Sequence, residues 1–509
     1  MRLGRSGGAP RRTQTRSTGT SFPTGSTGGL PVGALGKGGC GGTLLLIVVV
    51  LGVLFLGGGG LPGGDGGGTT ATRTDLVDAQ PVTADDLSVE DRLALAQFTD
   101  DLASDVNDYW ADQYPATYGA NYSPPEYFSF NPVTPDRTLT CGQRLAPSVL
   151  QSNAIYCPAG DYITWDEHFL FPKLQVNFGE AAIGVVLAHE WGHAIQGPSR
   201  ARVEGTTTIF KELQADCFAG AWVNNVQSGQ SELLRPFDQQ ELDGAVAGFL
   251  LLRDPPGTDP TARGAHGSAF DRIGAFEDGI INGPDYCASY QEGSADRPRI
   301  TPLAFTADDE DGTGNLDYDT TVDVVVNALN EFYSETLEEV LGEPQLGLDE
   351  YRSSLNGISS CPDDIEGIVF YCEATTSISW DADQLTAIHN DIGDFAISQL
   401  FAHEYGHAIM DLIGFQGSGE EIEIAADCLS GAWSAAVNSG QLMVPDPLNR
   451  SSSVPLQLSP GDLDEGLATM LRFRHPDGGP DRNSDEADLF ERTRAFQVGF
   501  FGTANDCVQ

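Results

Sequence analysis

Residues 189–193 read His-Glu-Trp-Gly-His, and residues 403–407 read His-Glu-Tyr-Gly-His. Each is an H-E-x-x-H pattern followed by nearly the same phrase: Glu212-Leu-Gln-Ala-Asp216-Cys217 after the first, Glu423-Ile-Ala-Ala-Asp427-Cys428 after the second. The stretches 181–188 and 395–402 that lead into the motifs are apolar and lack proline, so each predicts a buried helix. Residues four apart share a helix face, which sets His189 beside His193 and His403 beside His407. Paired imidazoles at that spacing are the signature of a zinc site. The chain has 8 histidines in 509 residues, so two such motifs trailed by one phrase are not a coincidence of composition. They read as one metal-binding domain repeated in tandem.

Catalytic zinc keeps three protein ligands and an open position for water. The third ligands expected are Glu212 and Glu423, giving His189, His193 and Glu212 in one set and His403, His407 and Glu423 in the other, with one zinc each. Glu190 and Glu404, between the histidines, are the expected general bases, taking a proton from a zinc-bound water and passing it to the leaving amine. Asp216 and Asp427 fall one helical turn after the third ligands. From there each can accept the second ring N–H of a ligand histidine and fix its tautomer.

The run H-E-W-G-H followed by E-L-Q-A-D-C-F-A-G-A-W resembles the putative neutral zinc metallopeptidase family of bacteria. Tyr156-Cys157-Pro158-Ala159-Gly160-Asp161 before the first motif and His266-Gly267-Ser268 after it match two further segments of that family. The resemblance is close over 89–287 and looser over 319–509. It implies an α+β fold of the zincin type, a gluzincin-like ligand set and an N-terminal membrane anchor, and it implies no substrate.

The two halves can be laid over each other. Tyr156, Cys157, Trp165 and Asp166 match Tyr371, Cys372, Trp380 and Asp381. Phe270, Arg272, Phe276, Gly279 and Cys287 match Phe490, Arg492, Phe496, Gly499 and Cys507. The loop from second histidine to third ligand is shorter in the second half. His266 is a candidate donor to the oxyanion of a tetrahedral intermediate. It falls opposite Glu486, and Ser268 opposite Asp488, so the second half lacks it unless His475 substitutes. Ala154–Cys157 and Tyr162–Trp165 alternate as a strand or hairpin, which suits an edge to which an extended peptide could add.

Residues 1–40 form a basic tail with no acidic residue, and 41–62 carry a short apolar run, Thr43–Leu56, flanked by glycines. No cleavage site follows, so the expectation is an uncleaved transmembrane anchor with its N-terminus in the cytoplasm and the rest outside the cell membrane. Residues 63–84 read as a stalk, 85–292 and 315–509 as the two metallopeptidase-like domains, and 293–314 as an acidic linker. The run Asp308–Asp311 in that linker reads as solvated rather than as a calcium site. Four cysteines recur per domain, which points to two disulfides each in an oxidising compartment. Proximity and the repeat suggest Cys141–Cys157, Cys217–Cys287, Cys361–Cys372 and Cys428–Cys507, with Cys40 left over.

The formal charge is −46, and Lys37, Lys173 and Lys211 are the lysines present. Such a surface excludes nucleic acid and anionic lipid as partners. The expected partner is a protein or peptide substrate, cut as an endopeptidase cuts, apart from the membrane that would hold the anchor. Two competing readings stand beside the peptidase. One is a zinc-containing surface scaffold with one or both sites idle; the other is a hydrolase of cell-wall peptides.

Overall fold

The computed structural model describes residues 1–4, 80–262, 264–294, 297–306, 314–336, 346–362, 367–473 and 489–508. It is a mixed α+β architecture in which small sheets flank a large helical core. A short strand β1 (Arg2–Leu3) is followed by helix α1 (Val89–Tyr118). The Ser88 side chain accepts from the Asp91 N–H to start α1, and Gly119, at φ 66°, turns the chain off its end. The helix runs through Pro115 to Tyr118.

Next come β2 (Glu126–Phe130), the small hairpin β3 (Thr140–Cys141) and β4 (Gln143–Arg144), then β5 (Ala154–Cys157) and β6 (Tyr162–Asp166). The order is β2-β6-β5, with β2 parallel and β5 antiparallel to β6. The β5–β6 hairpin matches the sequence reading. Five helices follow: α2 (Leu170–Phe178), α3 (Glu180–Gln196), α4 (Thr208–Gln227), α5 (Gln239–Leu251) and α6 (Ala269–Ala288).

The second half runs α7 (Tyr318–Thr336), β7 (Gly347–Tyr351), β8 (Val369–Cys372), β9 (Ser377–Asp381), α8 (Ala382–Asp391), α9 (Asp394–Ile413) and α10 (Gly419–Ser439). The hairpin β10 (Met443–Asp446) and β11 (Asn449–Gln457), then α11 (Asp462–Arg472) and α12 (Leu489–Phe501), complete it. Its sheet order, β7-β9-β8, has the same pattern of one parallel and one antiparallel neighbour. Only here does a hairpin intervene between the ligand helix and the next helix.

One buried apolar cluster spans both halves, from Leu102, Trp110, Trp191, Trp222 and Phe276 to Phe395, Trp433 and Phe496. Across the junction, Phe270 meets Phe500 edge to face at 5.0 Å. The Gln497 amide donates to the Phe270 carbonyl at 3.1 Å, and the Thr493 hydroxyl donates to buried Glu277 at 3.0 Å. Four disulfides join Cys141 to Cys157, Cys217 to Cys287, Cys361 to Cys372 and Cys428 to Cys507.

The membrane expectation is corrected. Among the described residues no helix is long and apolar enough to cross a membrane. The segment 41–62, Cys40 and the run Asp308–Asp311 lie outside the described residues, as do His475, Glu486 and Asp488. The N-terminus, expected on the far side of a bilayer from both motifs, instead packs into the second half. There β1 pairs antiparallel with β11, and the Met1 amine is buried against Asp394 and Asp462. A single-pass cell-membrane protein with a cytoplasmic tail is not the arrangement found.

Candidate active site

The two histidines of the first motif lie one turn apart on α3, buried, with ring centroids 4.6 Å apart and nearly perpendicular planes. Gly192 between them lets α4 come close. A Cβ there would lie 2.7 Å from the Ala215 Cα, and Gly406 stands the same way to Ala426 at 2.9 Å. That approach carries Glu212 under both rings. Its carboxylate oxygens lie 3.2 Å from His189 Nε2 and 3.4 Å from His193 Nε2.

Those two ring nitrogens and both Glu212 oxygens are buried, yet none of the four makes a hydrogen bond. Buried polar atoms are almost always paired. Four left over, all converging on one point, suit a cation, and two imidazoles with a carboxylate are the donor set zinc takes. Burial acts against a charge on His189, but the Asp216 and Glu212 carboxylates outweigh it and carry the ring up to about 10. Glu212 is held well below its ordinary range by the histidines despite its burial.

Asp216 accepts from His189 Nδ1 at 2.7 Å, so Nε2 faces Glu212. Arg272, on α6, donates to both oxygens of Asp216 at 2.8 Å. The Glu190 carboxylate accepts the Tyr156 N–H of β5 at 2.7 Å through Oε2, while Oε1 is buried with no hydrogen bond. Burial raises the pKa of Glu190, as suits a base working near neutrality. β5 is buried along its length, and its N–H at Tyr156 serves the motif carboxylate. His266 is also brought to this cluster. Its Nδ1 lies 3.2 Å from Asp254, which also accepts the His266 N–H, and Glu212 is close enough to help raise its pKa against the effect of burial.

The second motif repeats this geometry on α9 and α10. Glu423 lies 3.1 Å from His403 Nε2 and 3.4 Å from His407 Nε2. Asp427 accepts from His403 Nδ1 at 2.9 Å and from Arg492 Nε at 2.6 Å. Glu404 accepts the Tyr371 N–H at 2.9 Å, and burial pushes it up to about 7. The site is more open: the side chains of Glu423 and His407 are 19 % and 18 % exposed, against 1 % and 4 % for Glu212 and His193.

Sequence reasoning named the histidines, glutamates and second-turn aspartates but gave no role to Arg272, Arg492, Asp254, Gln196 or Gln214. The arginines carried a usable signal, since they recur at matched positions in a chain with only 27 basic residues.

A family model described as putative neutral zinc metallopeptidase matches residues 11–289. The chain belongs to this family. The match takes in α3, α4 and α6, and with them all of the first cluster. Among relatives, the uncharacterized protein YpfJ of Escherichia coli K12 is 29 % identical over 215 residues, covering 38 % of this chain and 71 % of its own. The uncharacterized protein Rv2575 of Mycobacterium tuberculosis H37Rv is 27 % identical over 173 residues, covering 29 % of this chain and 59 % of its own. No solved structure matches.

Proposed function

We propose that the chain is a zinc-dependent peptidase with two metal sites, one in each of two copies of a single domain spanning about 85–292 and 315–509. The observation that carries this is the set of four unpaired buried atoms between His189, His193 and Glu212. Zinc bound there would supply a Lewis acid and an acidified water. His189, His193 and Glu212 would hold it in the first copy, and His403, His407 and Glu423 in the second.

The chain's own residues then divide the work. Glu190, pinned through Oε2 by the Tyr156 N–H, offers its free Oε1 to accept a proton from water and to return it to the departing amine. His266, oriented by Asp254, stands ready to donate toward developing negative charge. Endopeptidase action on extended chains is the mode proposed, with Glu404 the matching base of the second copy.

The test is hydrolysis of an unfolded protein by the full chain beside Glu190→Gln and Glu404→Gln, with zinc content measured on each. Glu190→Gln and Glu404→Gln combined are expected to cut activity at least about 100-fold while zinc content holds, and each single variant shows the share of its own copy. A zinc-loaded wild type that cuts nothing, or a variant carrying both Glu190→Gln and Glu404→Gln that is as active as wild type, would sink the proposal and leave the scaffold reading.

A further inference from the structure

The first site contains a polar chain that the second lacks. His193 Nδ1 lies 3.0 Å from the side-chain oxygen of Gln196. The Gln196 amide nitrogen donates to the Lys211 carbonyl at 2.8 Å and to the side-chain oxygen of Gln214 at 3.0 Å. The Gln214 amide nitrogen in turn donates to the Cys287 carbonyl at 3.0 Å. Backbone carbonyls only accept, so the chain has one direction. The Cys287 carbonyl demands the NH2 of Gln214, which turns that residue's oxygen to Gln196. The same logic at Lys211 turns the Gln196 oxygen to His193. His193 Nδ1 must then carry the proton, and Nε2 is left with its lone pair aimed at Glu212. The anchor is itself fixed, because Cys287 is bonded to Cys217 on the ligand helix α4.

In the second half the disulfide Cys428–Cys507 is present, but both amides are gone. Met410 stands where Gln196 does, and Ala425 where Gln214 does. His407 thus has no amide to hold its Nδ1. Its Nε2 lies 3.4 Å from Glu423 and 3.0 Å from His403 Nε2. Among the described residues no amide favours the tautomer that would leave Nε2 free for a metal, and the His407 side chain is more exposed than that of His193.

We propose that Gln196 and Gln214 are positioning residues for the first metal site, and that their absence makes the second a weaker zinc site. The chain then takes up zinc in two steps, the Glu212 site first. This rests on reading both clusters as zinc sites. Losing an outer partner of a ligand histidine costs about 10–100-fold in metal affinity, which sets the expected gap between the sites.

The test is titration of the metal-stripped full chain with zinc against a competing chromophoric chelator. Wild type should show two classes of site about 10–100-fold apart, with His189→Ala removing the tight class and His403→Ala the weak one. Gln196→Met should merge the tight class into the weak one. The double variant Met410→Gln with Ala425→Gln should tighten the weak class, a gain that damaged packing would not produce. Melting of each metal-free variant shows that it folds. Two equal classes in wild type, a tight class unmoved by Gln196→Met in folded protein, or a tight class that maps to His403 would each overturn the inference. A wild type that binds no zinc would instead overturn the zinc reading on which it stands.

Discussion

Asp216 has two tasks: it accepts from a ligand histidine and balances a buried guanidinium. Removing Arg272 strands the aspartate without a countercharge, and breaking such a buried pair typically costs about 3–5 kcal/mol. Arg272→Met should therefore lower stability in a denaturant melt by that order, and Asp216→Asn should weaken zinc at the first site about 10–100-fold. A variant with both changes should lose less stability than the sum, since neither charge is then left alone. Additive losses would show that the pair is not coupled. The histidine pairs were legible in the sequence because helical spacing alone aligns them, and Glu212 and Glu423 stood out because the phrase around them recurs. Arg272 was not, because its meaning depends on α6 lying against α4, a contact between segments far apart in the chain.

At the scale of elements, the approach of α3 and α4 decides whether a third ligand can reach the histidines. Gly192→Ala would press a methyl group into the Ala215 backbone. The expected cost is about 1–3 kcal/mol of stability together with a clear drop in zinc affinity, as Glu212 is pushed outward. Undiminished zinc affinity in that variant would show that the helices adjust without moving the ligand. The β5–β6 hairpin was readable from its alternation. The parallel strand β2 was not, since pairing across the long 131–161 segment leaves no local mark. The second use of β5, lending its Tyr156 N–H to Glu190, is likewise invisible before the strand is placed.

Across the whole molecule, the junction of the halves buries Glu277 against Thr493, and burial lifts its pKa from an ordinary 4.5 to about 8. The carboxyl is thus protonated in the fold at neutral pH. Its unfolded counterpart ionises near the ordinary value, so the unfolded chain binds fewer protons between those limits. Stability contributed here is whole below about 4.5 and drains away as pH climbs toward 8. Glu277→Gln removes the dependence, so its melting temperature should gain on wild type as pH rises from about 5 to 8. An offset that stays flat with pH would place the ionisation elsewhere. The recurrence of the motif and of the phrase that trails it was legible in the sequence. The burial of Met1 in the second half was not, since a basic, glycine-rich leader before an apolar run carries the pattern of an anchor and hides a strand of two residues.

The disulfides Cys217–Cys287 and Cys428–Cys507 each bridge a long stretch that includes exposed turns, among them the loop around Leu233. If the proposed endopeptidase activity acts on the chain itself, such places are where it would cut. A single cut of that kind within either bridged stretch would leave the pieces covalently joined. The nicked molecule would run as one band on a gel without reductant and fall into two fragments once thiol is added.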